Sequence, residues 1–190
     1  MSGARVLLAT GNAHKVVEIQ QILGDAWRVE ARDPGVEETG TTFEENALIK
    51  ARALATATGE LAIADDSGIE VDALGGAPGV LSARWTEEGD WIPRVLRELA
   101  DVPEAERSCR YVCAAAVVWP EPAAREYVVR GVVEGIVADA PQGTGGFGYD
   151  PIMVPVEGDG RTFAEMTDAD KHVLSHRGRA FRSLVPHLLP

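Results

Sequence analysis

Cysteine is scarce, with two in 190 residues, Cys109 and Cys113. In an extended segment they stand ~13 Å apart, too far for a disulfide. Each therefore reads as a small buried apolar side chain, and the chain as cytoplasmic, without a disulfide framework. Long apolar runs are missing too: nothing approaches the ~20 residues that cross a bilayer. The opening Val6-Leu7-Leu8-Ala9 is too short for a secretory leader and reads as a first strand. Basic residues are few, 18 Lys+Arg against 30 Asp+Glu, for a net charge of −12. Coating a nucleic acid takes clustered Lys and Arg, so this balance excludes that role. It still leaves room for one small anion at a local cationic pocket. Internal repeats, low-complexity tracts and linkers are absent, and the length predicts a single domain over 1–190, built as two lobes.

What is present alternates between strand and helix patterns. Arg5–Ala9 reads as a strand that stops at Thr10-Gly11-Asn12. Val16, Ile19 and Leu23 then recur at helical spacing up to Gly24. Trp27–Ala31 predicts a second strand and Asp33-Pro34-Gly35 a turn. Thr41–Thr58 reads as a helix with capping-box spacing at Thr42 and Glu45. Leu61–Ala64 reads as a buried strand running into Asp65-Asp66-Ser67-Gly68, with Ile69 and Val71 on a second short strand. A helix is expected over Pro93–Ala100. Two β-prone runs, Arg107–Trp119 and Arg125–Val137, flank Pro120-Glu121-Pro122 and predict an antiparallel hairpin. The C-terminal stretch reads as helix, break, helix, with Thr167 and Ser175 as caps. Together these predict an α/β fold with a mixed β-sheet flanked by helices.

Four constellations carry chemistry. Thr10-Gly11-Asn12-Ala13-His14-Lys15 lies between a strand and a helix N-terminus, where backbone N–H groups and a Lys can cradle phosphate. The plainer alternative is a turn with Asn12 as N-cap and Lys15 in solvent. Glu44-Glu45-Asn46, at a helix start, and Asp65-Asp66-Ser67, at a strand end, can supply one carboxylate each, the kind of pair that holds Mg²⁺, an ion that keeps several waters. The alternative is that Glu45 serves its cap and the aspartates form a turn. Strand alternation places Asp65 and Asp66 on opposite faces. Gly143 to Asp150 is glycine-rich and then aromatic, which allows close backbone approach and base stacking on Phe147, unless Phe147 is a core residue. Lys171 with Ser175-His176-Arg177 offers cations and hydrogen-bond donors, unless it is a solvated basic face.

These pieces, taken in order, resemble the inosine triphosphate pyrophosphatase family. The resemblance rests on Thr10-Gly11-Asn12 with Lys15, Phe43-Glu44-Glu45-Asn46-Ala47, and Ala64-Asp65-Asp66-Ser67-Gly68. It continues through Gly75-Gly76-Ala77-Pro78-Gly79 with Ser82-Ala83-Arg84, then Gly146-Phe147-Gly148-Tyr149-Asp150-Pro151, and Lys171 with Ser175-His176-Arg177-Gly178. It implies an elongated mixed sheet in two lobes with a central substrate cleft, and a homodimer. It also implies Mg²⁺-dependent hydrolysis of ITP, dITP and XTP to the monophosphate and pyrophosphate. Carried over, Asp66 is the proton acceptor and a metal ligand, and Glu45 a second metal-site carboxylate. Thr10, Gly11, Asn12, Ala13, His14, Lys15, Ser67 and Lys171 contact the triphosphate. Phe147, Gly148, Tyr149, Asp150, His176 and Arg177 form the base pocket. The segment from Thr86 to Pro93 is shorter than in the family. Rival expectations are a pyrophosphatase for other modified nucleotides and a nucleotide sensor that does not hydrolyse.

Overall fold

The computed structural model describes residues 3–86, 89 and 91–189, so the short segment noted between Thr86 and Pro93 lies partly outside the described residues. The strands form one six-stranded mixed sheet in the order β2-β1-β3-β4-β5-β6. They are β1 (Ala4–Ala9), β2 (Trp27–Arg32), β3 (Ala62–Val71), β4 (Ser108–Val118), β5 (Glu126–Val137) and β6 (Met153–Pro155). β1 runs parallel to β2 and to β3, with Val6 beside Val29 and Leu8 beside Ile63. β5 and β6 are antiparallel. The expected β4–β5 hairpin is present: Trp119 N donates to Arg125 O at 2.9 Å, and Val137 N donates to Arg107 O at 3.0 Å.

Each α-helix follows from its residues. In α1 (Ala13–Leu23), Asn12 Oδ1 accepts from His14 N and Lys15 N, and the buried Ile19 and Leu23 follow at helical spacing. In α2 (Phe43–Thr58), Thr42 and Glu45 close a reciprocal capping box, and Gly59 ends the helix in the left-handed conformation. α3 is Trp91–Glu98, two residues ahead of the expected Pro93 start. α4 (Asp168–Leu174) is capped by Thr167, which accepts from Asp170 N. Ser175, expected to cap the last helix, closes α4 and directly precedes α5 (His176–Leu184).

One expectation is corrected. Asp65-Asp66-Ser67-Gly68 does not break the strand: β3 runs unbroken through all ten residues from Ala62 to Val71. A pair of aspartates ends a strand when the carboxylates need water. Here cationic and amide side chains hold both within the protein, Asp65 through its Oδ2 and Asp66 through both oxygens, so the ladder continues.

The chain forms two compact units, one of Met1–Asp66, Cys113–Gly131 and Arg177–Pro190, the other of Ser67–Val112 and Val132–His176. In the first, Ile19 and Leu23 of α1 and Ala180, Phe181 and Leu184 of α5 pack against Val6, Leu8, Ile63 and Cys113 of the sheet. In the second, Ile69, Cys109, Tyr111, Val133 and Val137 pack with Val95, Leu99, Ile152 and Phe163. Each large side chain so buried contributes about 1.5–3 kcal/mol. Both cysteines are free and buried. Burial, with Asp72 nearby, pushes the Cys109 thiol up to about 12, so it stays a neutral core side chain.

Candidate active site

In the first unit the site is built around Asp65 and Asp66. Their partners lie on different helices, as alternation along β3 requires. Asp65 Oδ2 receives Lys15 Nζ of α1 at 3.0 Å and Arg177 Nε and Nη2 of α5 at 3.3 Å. Arg177 Nη1 continues to Glu18 Oε2 at 2.6 Å. Arg177 is 2% exposed and Asp65 1%, so this is a buried ionic chain. Burial by itself would raise the Asp65 carboxyl. Lys15, then Arg177, then Lys50 outweigh it and hold the group well below the usual carboxylate range. For Arg177 burial works against the charge, and Glu18 and Asp65 overcome it.

Asp66 meets α2. Asn46 Nδ2 donates to its Oδ2 at 3.1 Å, and Lys50 Nζ to its Oδ1 at 3.4 Å. Lys50 also donates to Glu38 Oε1 at 2.5 Å, and Gly40 N fixes Asn46 through its Oδ1 at 2.8 Å. Burial pushes the Asp66 carboxyl up. Lys50 opposes that rise, and the Glu38 charge adds to it. A carboxylate with a raised pKa holds a proton more firmly than an ordinary aspartate, which suits a proton acceptor.

The loop before α1 is tied to its own side chains. Thr10 Oγ1 accepts from Asn12 N at 3.1 Å, and Asn12 Oδ1 from His14 N at 2.9 Å and Lys15 N at 3.4 Å. The N-cap role of Asn12 is therefore real. The exposed Gly11 and Ala13 keep N–H groups with no acceptor among the described residues. The alternative for Lys15 is corrected: its side chain is 15% exposed and bound to Asp65, not in solvent.

Glu45 is exposed. One oxygen, Oε2, accepts from Thr41 N at 2.7 Å, Thr41 Oγ1 at 3.0 Å and Thr42 N at 3.2 Å. Those bonds, the Thr41 backbone N–H foremost, lower its carboxyl and keep it ionised. Its other oxygen takes no hydrogen bond among the described residues. No group of three or more His, Cys, Asp or Glu among the described residues forms a closed metal cage. The oxygen that Glu45 leaves without a hydrogen bond is a hard donor of the kind taken by an ion that retains water and binds phosphate oxygens.

In the second unit the focus is Asp150, 3% exposed. Its Oδ2 accepts from Phe147 N at 2.8 Å and Lys171 Nζ at 2.7 Å, and its Oδ1 from Tyr111 OH at 3.1 Å. Phe147 is half-buried rather than in the core, and Lys171 Nζ stands 4.9 Å from its ring centroid. His176 lies against the Tyr111 ring, with centroids 4.5 Å apart. Tyr149 OH donates to Ser82 O at 2.8 Å, and its ring stacks on Trp91. Ser67 follows Asp66 on β3, half-buried, and Gly148 has a positive φ of 64°.

Gly146 shows why the motif is glycine-rich. Its φ is +66°, and a Cβ there would lie 2.0 Å from Asp150 Oδ2. Gly146→Ala is expected to cost about 1–2 kcal/mol in backbone strain alone, and to displace Asp150 from Phe147 and Lys171. Thermal melting and nucleotide KM should both worsen; an unchanged KM would show that this carboxylate does not order the loop.

The structure thus gathers Lys15 and Arg177 at Asp65, and Phe147, Lys171 and His176 around Asp150 with Tyr111. Arg177 is engaged by Glu18 and Asp65. Sequence reasoning missed Glu18, Glu38, Asn46, Lys50 and Tyr111 as site residues. The signal for Lys50 was available: it sits three residues after Ala47 and four before Leu54, on the apolar stripe of α2, where a Lys needs a buried partner. Lysine occurs at three positions in the chain, 15, 50 and 171, and each ammonium meets a carboxylate.

Residues 6–187 match the model of the Ham1 family. A dITP/XTP pyrophosphatase of Streptomyces coelicolor is 49% identical over 194 residues, covering 96% of this chain and 96% of its own. One from Symbiobacterium thermophilum is 50% identical over 194 residues, covering 99% and 96%. Among solved structures, a HAM1 protein from Coxiella burnetii aligns with a TM-score of 0.83 at 38% identity, over 97% of this chain and 98% of that one. A nucleoside-triphosphatase, dITP/XTP pyrophosphatase, from Mycobacterium abscessus aligns at 0.75 and 42%, over 96% and 100%.

Proposed function

Because the chain belongs to the Ham1 family, we propose that it is a dITP/XTP pyrophosphatase: it hydrolyses dITP, XTP and ITP to the monophosphate and pyrophosphate. The observation that carries the mechanism is the buried Asp66, held by Asn46 and Lys50 with its carboxyl pushed up. Asp66 takes a proton from a water molecule as that water attacks the α-phosphorus. The bond to the β-phosphate oxygen breaks, and pyrophosphate leaves. Lys50 keeps the Asp66 carboxylate oriented. Lys15, fixed by Asp65, and the N–H groups of Gly11 and Ala13 offset negative charge on the polyphosphate by preorganised electrostatics. Thr10, Asn12, His14, Ser67 and Lys171 complete the triphosphate contacts. Glu45 and Asp66 would hold Mg²⁺, which supplies further neutralisation of the leaving pyrophosphate.

The base is assigned to Phe147–Asp150 and His176. Phe147 N and Asp150 N are bonded within that turn, so the N–H groups of Gly148 and Tyr149, with His176, are the donors for a 6-oxo purine. Adenine presents an amino donor at that position and leaves such groups unpaired, a mismatch worth about 10⁴–10⁵ in discrimination. Arg177 enters as a positioning residue through Asp65. A homodimer in the cytoplasm is what the family resemblance implies for it. No helix among the described residues is long and apolar enough to cross a membrane.

The test is a Mg²⁺-dependent assay on dITP, XTP and ITP beside dATP, with both products identified. Pyrophosphate and monophosphate from the 6-oxo purines, with dATP spared, are expected. Orthophosphate as the product, or equal turnover of dATP, would overturn the reading. Nucleotide binding without any turnover would indicate a sensor.

A further inference from the structure

Tyr111 is buried on β4 at 4% exposure, and no step above uses it. Three contacts set it apart from an ordinary core aromatic. Its OH donates to Asp150 Oδ1 at 3.1 Å. Its ring lies 4.5 Å from the His176 ring, centroid to centroid, tilted by 37°. It also stacks on Phe163 at 5.7 Å and 18°, which fixes the ring from the core. The strand thereby joins two residues 26 positions apart in sequence, Asp150 and His176, that are both assigned to the base.

We propose that Tyr111 is a positioning residue for base recognition, setting the Asp150 carboxylate with its hydroxyl and the His176 imidazole with its ring. The proposal rests on the assignment of these motifs to the base, and deepens it. The chemistry is one of satisfied acceptors. Asp150 Oδ2 is shared by Phe147 N and Lys171 Nζ, and so points along both. A carboxylate held at one oxygen can swing about its χ2 torsion; a donor on the other oxygen fixes the plane. Tyr111 supplies that donor. Burial, and after it the Asp150 charge, pushes the phenol well above its ordinary value, so the hydroxyl keeps its proton and remains a donor at every working pH. Asp150 then holds the Phe147 backbone and the Lys171 ammonium over the Phe147 ring.

Tyr111→Phe removes one hydroxyl and keeps the ring against Phe163 and His176. The expected result is a rise in KM for dITP of about tenfold, the scale of one hydrogen bond to a charged group. kcat should stay close to that of the parent, since Tyr111 touches neither Asp66 nor its partners Asn46 and Lys50. The preference for dITP over dATP should narrow with it. Inorganic tripolyphosphate, which has no base, should lose less: its Ki changes only through Lys171, the polyphosphate contact that meets Asp150, and rises well short of tenfold. A purely structural role would instead weaken tripolyphosphate and nucleotide in equal proportion and leave the preference for dITP over dATP unchanged, and that outcome would overturn the proposal. So would an unchanged KM and selectivity in the variant. Tyr111→Leu, which removes the ring as well, provides a second arm: its KM for dITP should exceed that of Tyr111→Phe while the tripolyphosphate Ki stays at the Tyr111→Phe value. If the parent chain shows no preference for dITP, the base assignment itself fails, which is distinct from a parent that discriminates and a variant that does so equally well.

Discussion

Asp66→Asn is expected to lower kcat by about 10³-fold or more, the scale of a lost general base, while the melting temperature stays close to that of the parent. The two halves of this expectation come from the same environment. Burial already favours the uncharged form of residue 66, and an amide keeps the carboxylate's shape, losing only the hydrogen bond where its NH2 meets the Asn46 or Lys50 donor, a cost of about 1 kcal/mol. Lys50 is not orphaned, because Glu38 remains beside it. What the amide cannot do is accept the proton of the attacking water. The pH profile of the parent carries the same signature. Below the Asp66 pKa the base is protonated and idle; above it the carboxylate works. With the pKa raised by burial, the acid limb of kcat/KM should fall at a pH above the ordinary aspartate value of 3.8. Retained turnover in the variant, or an acid limb at or below the ordinary value, would remove Asp66 from this role.

Arg177→Met should produce the largest loss of stability among single substitutions at the site. The guanidinium is surrounded by Glu18 and Asp65, and none of the three groups reaches solvent to any extent. Removing the cation leaves two carboxylates in the interior with Lys15 alone on Asp65. Breaking a buried pair in this way costs about 3–5 kcal/mol. For a chain of this length, each kcal/mol is worth about 2–4 °C, so the melting temperature should drop by about 10 °C. Activity measured well below that temperature should also fall, because Lys15 and Asp65 share their geometry with Arg177. The triple substitution Glu18→Gln, Asp65→Asn, Arg177→Met removes all three charges and should recover part of the stability but not the activity. A melting temperature unchanged in Arg177→Met would show the buried chain to be energetically neutral. The acid side has a defined sign as well. Asp65 is held below its ordinary pKa, so its stabilising contribution is present above that ordinary value and is lost as pH falls through the lowered one.

Much of the fold was legible because local signals agreed with one another. Thr42 and Glu45 marked the start of α2 and Gly59 its end, and Pro120-Glu121-Pro122 marked the turn between β4 and β5. The unbroken β3 was not legible. Two adjacent aspartates look like a turn until their partners are known, and those partners, Lys15, Asn46, Lys50 and Arg177, come from three helices spread over the whole chain. The same limit applied to the site. Motifs named the residues that bear the chemistry, since those cluster in short stretches. They did not name Glu38 or Tyr111, whose meaning lies in contacts across 12 and 39 positions. Nor did they foresee that Arg177 would face Glu18 and Asp65, because an arginine beside a histidine reads as a surface donor until its burial is seen.

The three lysines have a practical reach beyond catalysis. In most proteins amine-directed reagents label a scattered surface. Here the chain offers no side-chain amine outside the pairs Lys15–Asp65, Lys50–Asp66 and Lys171–Asp150, and arginine carries the rest of the positive charge. Besides the α-amino terminus, reductive methylation and succinimidyl esters therefore address this fold only at the three lysines of the proposed site, and lysine-specific proteases cut only there. Slow labelling in the native state, and further protection by bound nucleotide, would turn an ordinary surface chemistry into a site-selective footprint.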